Sequence, residues 1–132
     1  MSLSINNKVL TNNGWMNIGE LRKGDSVLGM DKVFRPVLDI IDAGECDCKV
    51  KFTDGSELIC SCDQQLKLNK AGVNGLRNYN IIDIDNELDS FDEIESIETI
   101  GATPGKSISV EKGSCLIGRN YIGCVCQISY CL

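Results

Sequence analysis

The chain has 132 residues, the length of one domain that can bury its own core. Asp and Glu number 19 against 13 Lys and Arg, and the net charge of −6 argues against a non-specific nucleic-acid binder or a protein held on an anionic membrane. The absence of histidine excludes every histidine-dependent catalytic triad and every imidazole metal ligand.

Short apolar runs rich in β-branched residues, separated by Gly, Asn and Asp, predict an all-β protein. In the first half, turn signals at Asn12-Asn13-Gly14 and at Asp54-Gly55 separate alternating runs, so two hairpins are predicted. Further short strands are predicted over 26–29 and 33–41, where Pro36 indicates an edge position or a bulge.

The second half begins with a Gly- and Asn-rich stretch over 65–80 and continues with an acidic segment over about 83–95. Apolar residues in the acidic segment recur near helical spacing, so we predict a variable loop or a short helix there. Alternating strands follow, separated by turn signals at Pro104-Gly105 and Lys112-Gly113: they cover 94–100, 107–111 and 115–122.

Eight cysteines in 132 residues lie below the density of a disulfide scaffold, and we expect mostly free thiols in a reducing, cytoplasmic compartment. Three CxC pairs are present, and none is the CxxC of common zinc or redox sites: they are Cys46 and Cys48, Cys60 and Cys62, and Cys124 and Cys126. No apolar run approaches the ~20 residues that span a bilayer, and the start lacks a secretion signal.

A zinc- or metal-binding β module is one alternative function, because residues two apart on a strand share a face. A three-residue hairpin loop over 53–55 would place Cys48 opposite Cys60 and Cys46 opposite Cys62, whereas a two-residue turn would separate the pairs. Thiolate zinc prefers ligands on flexible knuckles, so buried apolar thiols are the simpler interpretation. A non-catalytic scaffold or interaction insert is the other alternative.

Short strings along the chain carry a family resemblance. They are Val9-Leu10-Thr11 with Gly14-Trp15, Ile18-Gly19-Glu20-Leu21 with Gly24-Asp25-Ser26-Val27, Val50-Lys51-Phe52-Thr53-Asp54-Gly55, Ser61-Cys62-Asp63-Gln64, Ile97-Glu98-Thr99-Ile100-Gly101, and Ile108-Ser109-Val110-Glu111. Their order and spacing resemble the Hint domain of inteins, the self-splicing elements, in a minimal form without a homing endonuclease.

The resemblance implies one Hint domain over 1–132, an all-β horseshoe of short strands with pseudo-two-fold symmetry whose termini meet at one active site. It also implies a self-processing element that acts once on its own flanking peptide bonds by acyl shift and C-terminal cleavage. Its partners would be the flanking host segments, the exteins. We expect a monomer that needs no cofactor, nucleic acid or membrane.

Matching the family motifs to the chain places the first nucleophile on Ser2, whose hydroxyl would attack the preceding carbonyl in an N-to-O acyl shift. Only Met1 precedes it, so either little is transferred or residues 1–3 replace a native start. The family's TxxH motif falls on Ser61 and Gln64, and its acidic residue falls on Ser107. Glutamine cannot transfer a proton, and positioned acid catalysis contributes about 10² to 10⁴ in rate, so the first shift should be slow.

At the other end, the family's terminal His-Asn and the acceptor that follows fall on Cys124, Val125 and Cys126. Valine has no side-chain nucleophile, so cyclisation and C-terminal cleavage should be blocked. A shifted register on Asn120 is disfavoured, because Tyr121 is not an acceptor nucleophile. We therefore expect a slow, degenerate or inactivated element, with seven site residues that meet in space: Ser2, Ser61, Gln64, Ser107, Cys124, Val125 and Cys126.

Overall fold

The computed structural model describes residues 1–128, and antiparallel strands form most of that range. The strands are β1 (Leu3–Ser4), β2 (Lys8–Thr11), β3 (Gly14–Asn17), β4 (Ser26–Leu28), β5 (Phe34–Phe52), β6 (Glu57–Cys60), β7 (Gln65–Leu68), β8 (Arg77–Asn80), β9 (Ile94–Val110), β10 (Ser114–Ile117) and β11 (Ile122–Val125). One α-helix, α1 (Ile81–Asn86), and 3₁₀ turns over Ile18–Glu20, Leu88–Ser90 and Glu111–Gly113 complete the elements. The all-β prediction is confirmed.

Two long strands organise the sheet. β5 has 19 residues and β9 has 17, and they pair antiparallel along most of their lengths with register shifts at several points. The strand order is β6-β1-β9-β5-β4-β2-β10-β11-β7-β8, with β3 paired to β2. The short strand β1 is therefore inserted between β6 and β9, where Leu3 lies opposite Cys60 on one side and Lys106 on the other.

Both predicted hairpins are present. A two-residue turn joins β2 to β3, with Thr11 opposite Gly14. The β5–β6 hairpin has the three-residue loop, because Cys48 pairs with Cys60 and Gly55 adopts a φ of +89°. β6 ends at Cys60, however, so its pairing with β5 stops at Cys48 and does not reach Cys46 and Cys62. Among residues 1–128 no group of three or more Cys, Asp or Glu side chains is arranged to hold a metal ion, so the metal alternative gains no support.

The structure differs from the predicted elements at several places. The strand predicted over 115–122 is two strands, β10 and β11, because Gly118 adopts a φ of +77° and a turn occupies 118–121. The strand predicted over 33–41 continues to Phe52 as β5. The Gly- and Asn-rich stretch over 65–80, for which no element was predicted, forms a hairpin of β7 and β8 with its turn-forming residues between the two strands.

β9 runs without interruption through Pro104-Gly105, where a break was predicted. Gly105 serves close packing there instead of a turn, since a Cβ would lie 2.5 Å from the Cys46 sulfur.

The core is built from the buried apolar faces of these strands together with α1 and the residues after it. The Asn80 side chain accepts from the Asp83 N–H and caps α1, which buries Ile84. Phe91 is buried behind the helix and packs edge-on against Tyr79. None of the helices within residues 1–128 is long and apolar enough to cross a membrane.

We expect Gly105→Ala to lower the free energy of unfolding by ~1–3 kcal/mol, because its methyl group would meet the Cys46 sulfur at 2.5 Å and the Leu3 carbonyl at 3.2 Å. Urea unfolding measures the change. Gly101→Ala, in the same strand with nothing within 4 Å of its Cβ, is the matched control and should be near neutral. Equal effects of the two variants would contradict the packing role of Gly105.

Candidate functional site

The insertion of β1 carries the Met1–Ser2 peptide into the interior of the sheet. Ser2 is only 4% exposed, and its carbonyl accepts from the Ser61 N–H at 2.9 Å, which continues the pairing of β1 with the chain beyond β6. A buried backbone needs a partner for each polar atom, so the side chains around this peptide are constrained by hydrogen bonding as well as by packing.

Two serine hydroxyls bind the two polar atoms of the Met1–Ser2 peptide. The Ser2 N–H donates to Ser61 Oγ at 2.8 Å, and Ser107 Oγ donates to the Met1 carbonyl oxygen at 2.5 Å. Ser61 lies just after β6, and Ser107 lies in β9, on opposite sides of β1. One peptide bond is thus held at both its nitrogen and its oxygen by hydroxyl groups from separate strands.

The Ser2 hydroxyl lies beside the same peptide. Its oxygen is 3.1 Å from Ser107 Oγ. Because the Ser107 proton is directed to the Met1 carbonyl, the Ser107 oxygen is the acceptor in this contact. Glycines make room for Ser2: a Cβ on Gly44 would lie 2.6 Å from Ser2 Oγ, and one on Gly105 would lie 3.3 Å from Ser2 Cβ.

Asp63 fixes the direction of the Ser61 hydroxyl. Ser61 Oγ donates to Asp63 Oδ1 at 2.6 Å, and the amino group of Met1 donates to Asp63 Oδ2 at 3.1 Å. The Ser61 hydroxyl and this amino group hold the pKa of the Asp63 carboxyl below its usual range. Asp63 is therefore ionised at neutral pH and takes the Ser61 proton, which leaves the Ser61 oxygen as the acceptor for the Ser2 N–H.

Gln64 connects this group to the other end of the chain. Its side chain is 1% exposed, and Nε2 donates to the carbonyl oxygens of Val125 and Gln65, each at 2.9 Å. A turn joins Gln64 to Ser61, since the Gln64 N–H donates to the Ser61 carbonyl at 3.1 Å. The same four-residue segment thus contacts the Met1–Ser2 peptide and the carbonyl of the Val125–Cys126 peptide.

The two remaining predicted site residues are buried thiols. Cys124 is fully buried in the core, and burial raises the pKa of its thiol. Cys126 is 2% exposed, and its sulfur lies 2.8 Å from that of Cys115. The Cys126 backbone is anchored on both sides, because its N–H donates to Gly113 and its carbonyl accepts from Val110.

Hydrogen bonds therefore bring together five of the seven predicted residues: Ser2, Ser61, Ser107, Gln64 and Val125. Cys124 and Cys126 flank Val125 in the chain, and both belong to the buried core. Asp63 was missed as a site residue, although its position between Ser61 and Gln64 in one motif was a usable signal. Nothing in the sequence marks Gly44 or Cys115, because only the fold brings Gly44 close to Ser2 and Cys115 close to Cys126.

We expect Gln64→Leu to lower the free energy of unfolding by about 1–3 kcal/mol, because the carbonyls of Val125 and Gln65 would lose a buried donor. Thermal and urea unfolding measure the loss. Gln65→Leu is the matched control, since that side chain is only partly buried. A loss no larger in Gln64→Leu than in Gln65→Leu would contradict a structural role for these bonds.

The chain has no match among protein-family models or curated proteins. Its structure is similar to that of a substituted gp41-1 intein, with 22% identity, a TM-score of 0.75 and coverage of 94% of this chain and 98% of the other. It is also similar to the MchDnaB-1 intein, with 22% identity, a TM-score of 0.68 and coverage of 93% and 98%. A DnaB intein from Synechocystis shares 14% identity, with a TM-score of 0.73 and coverage of 96% and 99%. The chain therefore has the fold of the mini-inteins, as the sequence resemblance implied.

Proposed function

We propose that the chain is an intein-like autoprocessing element that acts on its own flanking peptide bonds and is degenerate at its C-terminal junction. The observation that supports this most directly is the Met1–Ser2 peptide, whose nitrogen and oxygen are each bound by a serine hydroxyl while the Ser2 hydroxyl lies alongside.

The first step is an N-to-O acyl shift. Ser2 Oγ attacks the Met1 carbonyl carbon, the C–N bond breaks, and the Met1 acyl group becomes an ester on Ser2, whose nitrogen becomes a free amine. The Ser107 hydroxyl contacts both the attacking oxygen and the carbonyl oxygen. It can therefore accept the proton from Ser2 while it donates its own to the developing oxyanion.

This step lacks a side chain that can donate a proton to the leaving nitrogen. The Ser61 proton is directed to ionised Asp63, so Ser61 accepts from the Ser2 N–H and does not protonate it. Gln64 has only amide protons, which are not transferred at neutral pH. When the tetrahedral intermediate collapses to the ester, its hydroxyl proton passes to the leaving nitrogen through water rather than from a positioned acid. This places the rate about 10² to 10⁴ below that of a site with a positioned acid.

At the C-terminal junction the proposed element polarises a bond that it cannot cleave. Gln64 Nε2 donates to the Val125 carbonyl, where hydrogen bonding would favour attack on the carbonyl carbon. Val125 offers no side-chain amide to carry out that attack. The partners of the element are the flanking segments of its own precursor, and the downstream one stays attached.

To test the first step, one reporter protein is fused before Met1 and a second after Leu132, and the fusion is incubated with hydroxylamine. Hydroxylamine cleaves esters much faster than ordinary amides, so we expect slow release of the N-terminal reporter as a hydroxamate ending at Met1. That mass distinguishes it from cleavage at the Asn13-Gly14 or Asn74-Gly75 bond. Intact mass spectrometry measures release over several days. The downstream reporter should remain attached.

Ser2→Ala is the matched control, because it removes the nucleophile and keeps the backbone hydrogen bonds to Ser61. Release should fall to background in this variant. If wild type and Ser2→Ala release the same amount of reporter, the proposed function is wrong for this chain.

A second prediction concerns the C-terminal junction. Val125→Asn supplies a side-chain amide next to the carbonyl that Gln64 polarises, so we expect slow cleavage before Cys126 with a succinimide at position 125. Val125→Leu, which cannot cyclise, is the control and should stay uncut. Mass spectrometry of the downstream fragment, beginning at Cys126, reports the cut. An uncut Val125→Asn fusion that is folded by circular dichroism would contradict the proposed junction.

A further inference from the structure

A pair of buried thiols lies next to the C-terminal junction, and the acyl-shift chemistry does not use it. Cys115 Sγ and Cys126 Sγ are 2.8 Å apart, and the two residues are 0% and 2% exposed. A disulfide bond is 2.03–2.05 Å long, so the sulfur atoms need to approach by only about 0.8 Å to form one. Both are free thiols in the structure.

The backbone holds these two sulfurs together. Cys115 lies in β10, which pairs with β11, and Cys126 follows directly after β11. The Cys126 N–H donates to the Gly113 carbonyl at 2.9 Å, and its carbonyl accepts from the Val110 N–H at 3.0 Å. The sulfur–sulfur contact therefore follows from fixed backbone on both sides of the acceptor residue.

We propose that Cys115 and Cys126 form a reversible disulfide that masks the Cys126 thiol. The consequence for processing rests on the proposed function and on the acceptor role that the family resemblance implies for Cys126. The formation of the bond itself depends on neither. While this bond is in place, the Cys126 sulfur cannot act as a nucleophile.

The oxidant is a small peroxide, because a bulky disulfide reagent could not reach sulfurs this deeply buried. The Cys126 thiolate attacks one oxygen of hydrogen peroxide, and the O–O bond breaks. Hydroxide is the leaving group, and Cys126 becomes a sulfenic acid. The Cys115 sulfur then attacks the Cys126 sulfur and water leaves. The two thiols lose two electrons and two protons in total, and the peroxide is reduced to two waters; a dithiol reductant reverses the bond.

Cys124 is the competing partner, because it lies directly opposite Cys115 across β10 and β11. The sulfur in contact with Cys115 is nevertheless that of Cys126, which also points to the Cys124 carbonyl at 3.5 Å. The hydrogen bond with Cys126 and burial raise the pKa of the Cys115 thiol. The second step, in which Cys115 attacks the Cys126 sulfur, should therefore be slow near pH 7 and should accelerate as the pH rises, by up to about tenfold per pH unit.

The test uses the reduced full chain, treated with hydrogen peroxide at pH 7 and at pH 9, then alkylated and digested with trypsin. Cleavage after Lys112 and Arg119 separates Cys115, in residues 113–119, from Cys126, in residues 120–132. We expect a disulfide-linked pair of these peptides that dithiothreitol abolishes and that forms faster at pH 9.

Matched serine variants identify the sulfurs. The linked peptides should persist in Cys124→Ser and in Cys131→Ser, whose position lies outside the described residues, and should disappear in Cys115→Ser and Cys126→Ser. Absence of linked peptides in the wild type, or their persistence in Cys126→Ser, would overturn the proposal. The two tests can also give different answers. If the linked peptides form but the reporter fusion shows no hydroxylamine-sensitive ester, the disulfide is supported and the proposed function is wrong.

Discussion

The structure depends on the insertion of β1 between β6 and β9. A two-residue strand would be unstable alone, but pairing on both sides buries the Met1–Ser2 peptide and obliges its neighbours to satisfy every polar atom. The hydroxyls of Ser61 and Ser107 are the groups that do so. These hydrogen bonds stabilise the insertion of β1, and they also hold the Met1–Ser2 peptide bond at its nitrogen and its oxygen. The stability of the fold and the proposed chemistry therefore depend on the same contacts.

Much of the scaffold could be predicted because its signals are local. The Asp54-Gly55 turn and the alternation of β5 and β6 are set by neighbouring residues, and they appear as predicted. The continuity of β9 through Pro104-Gly105 could not be predicted. Gly105 is needed there because it packs against the Cys46 sulfur, which lies on another strand. The same holds for the site: the Ser61–Gln64 motif is visible in one string, whereas the contact of Cys115 with Cys126 exists only in the folded chain.

Gln64 stands where the family resemblance implies a histidine, and this changes how the proposed site would respond to pH. Hydroxyl and amide groups keep the geometry of the two junctions, since Ser61 and Gln64 still reach the Ser2 nitrogen and the Val125 carbonyl. They do not titrate near neutral pH. The hydrogen bonds that these two residues supply are therefore insensitive to pH around 7, whereas a histidine site would gain or lose a proton there.

The long pairing of β5 with β9 has a kinetic consequence. β5 belongs to the first half of the chain and β9 to the second, and β1 finds its partner Lys106 more than a hundred residues away. A topology dominated by such distant pairs has a high contact order and closes late in folding. The Met1–Ser2 bond is thus surrounded by its hydroxyls only after Ser107 has been synthesised and β9 has paired, so under the proposed function a nascent chain shorter than this would leave that bond intact.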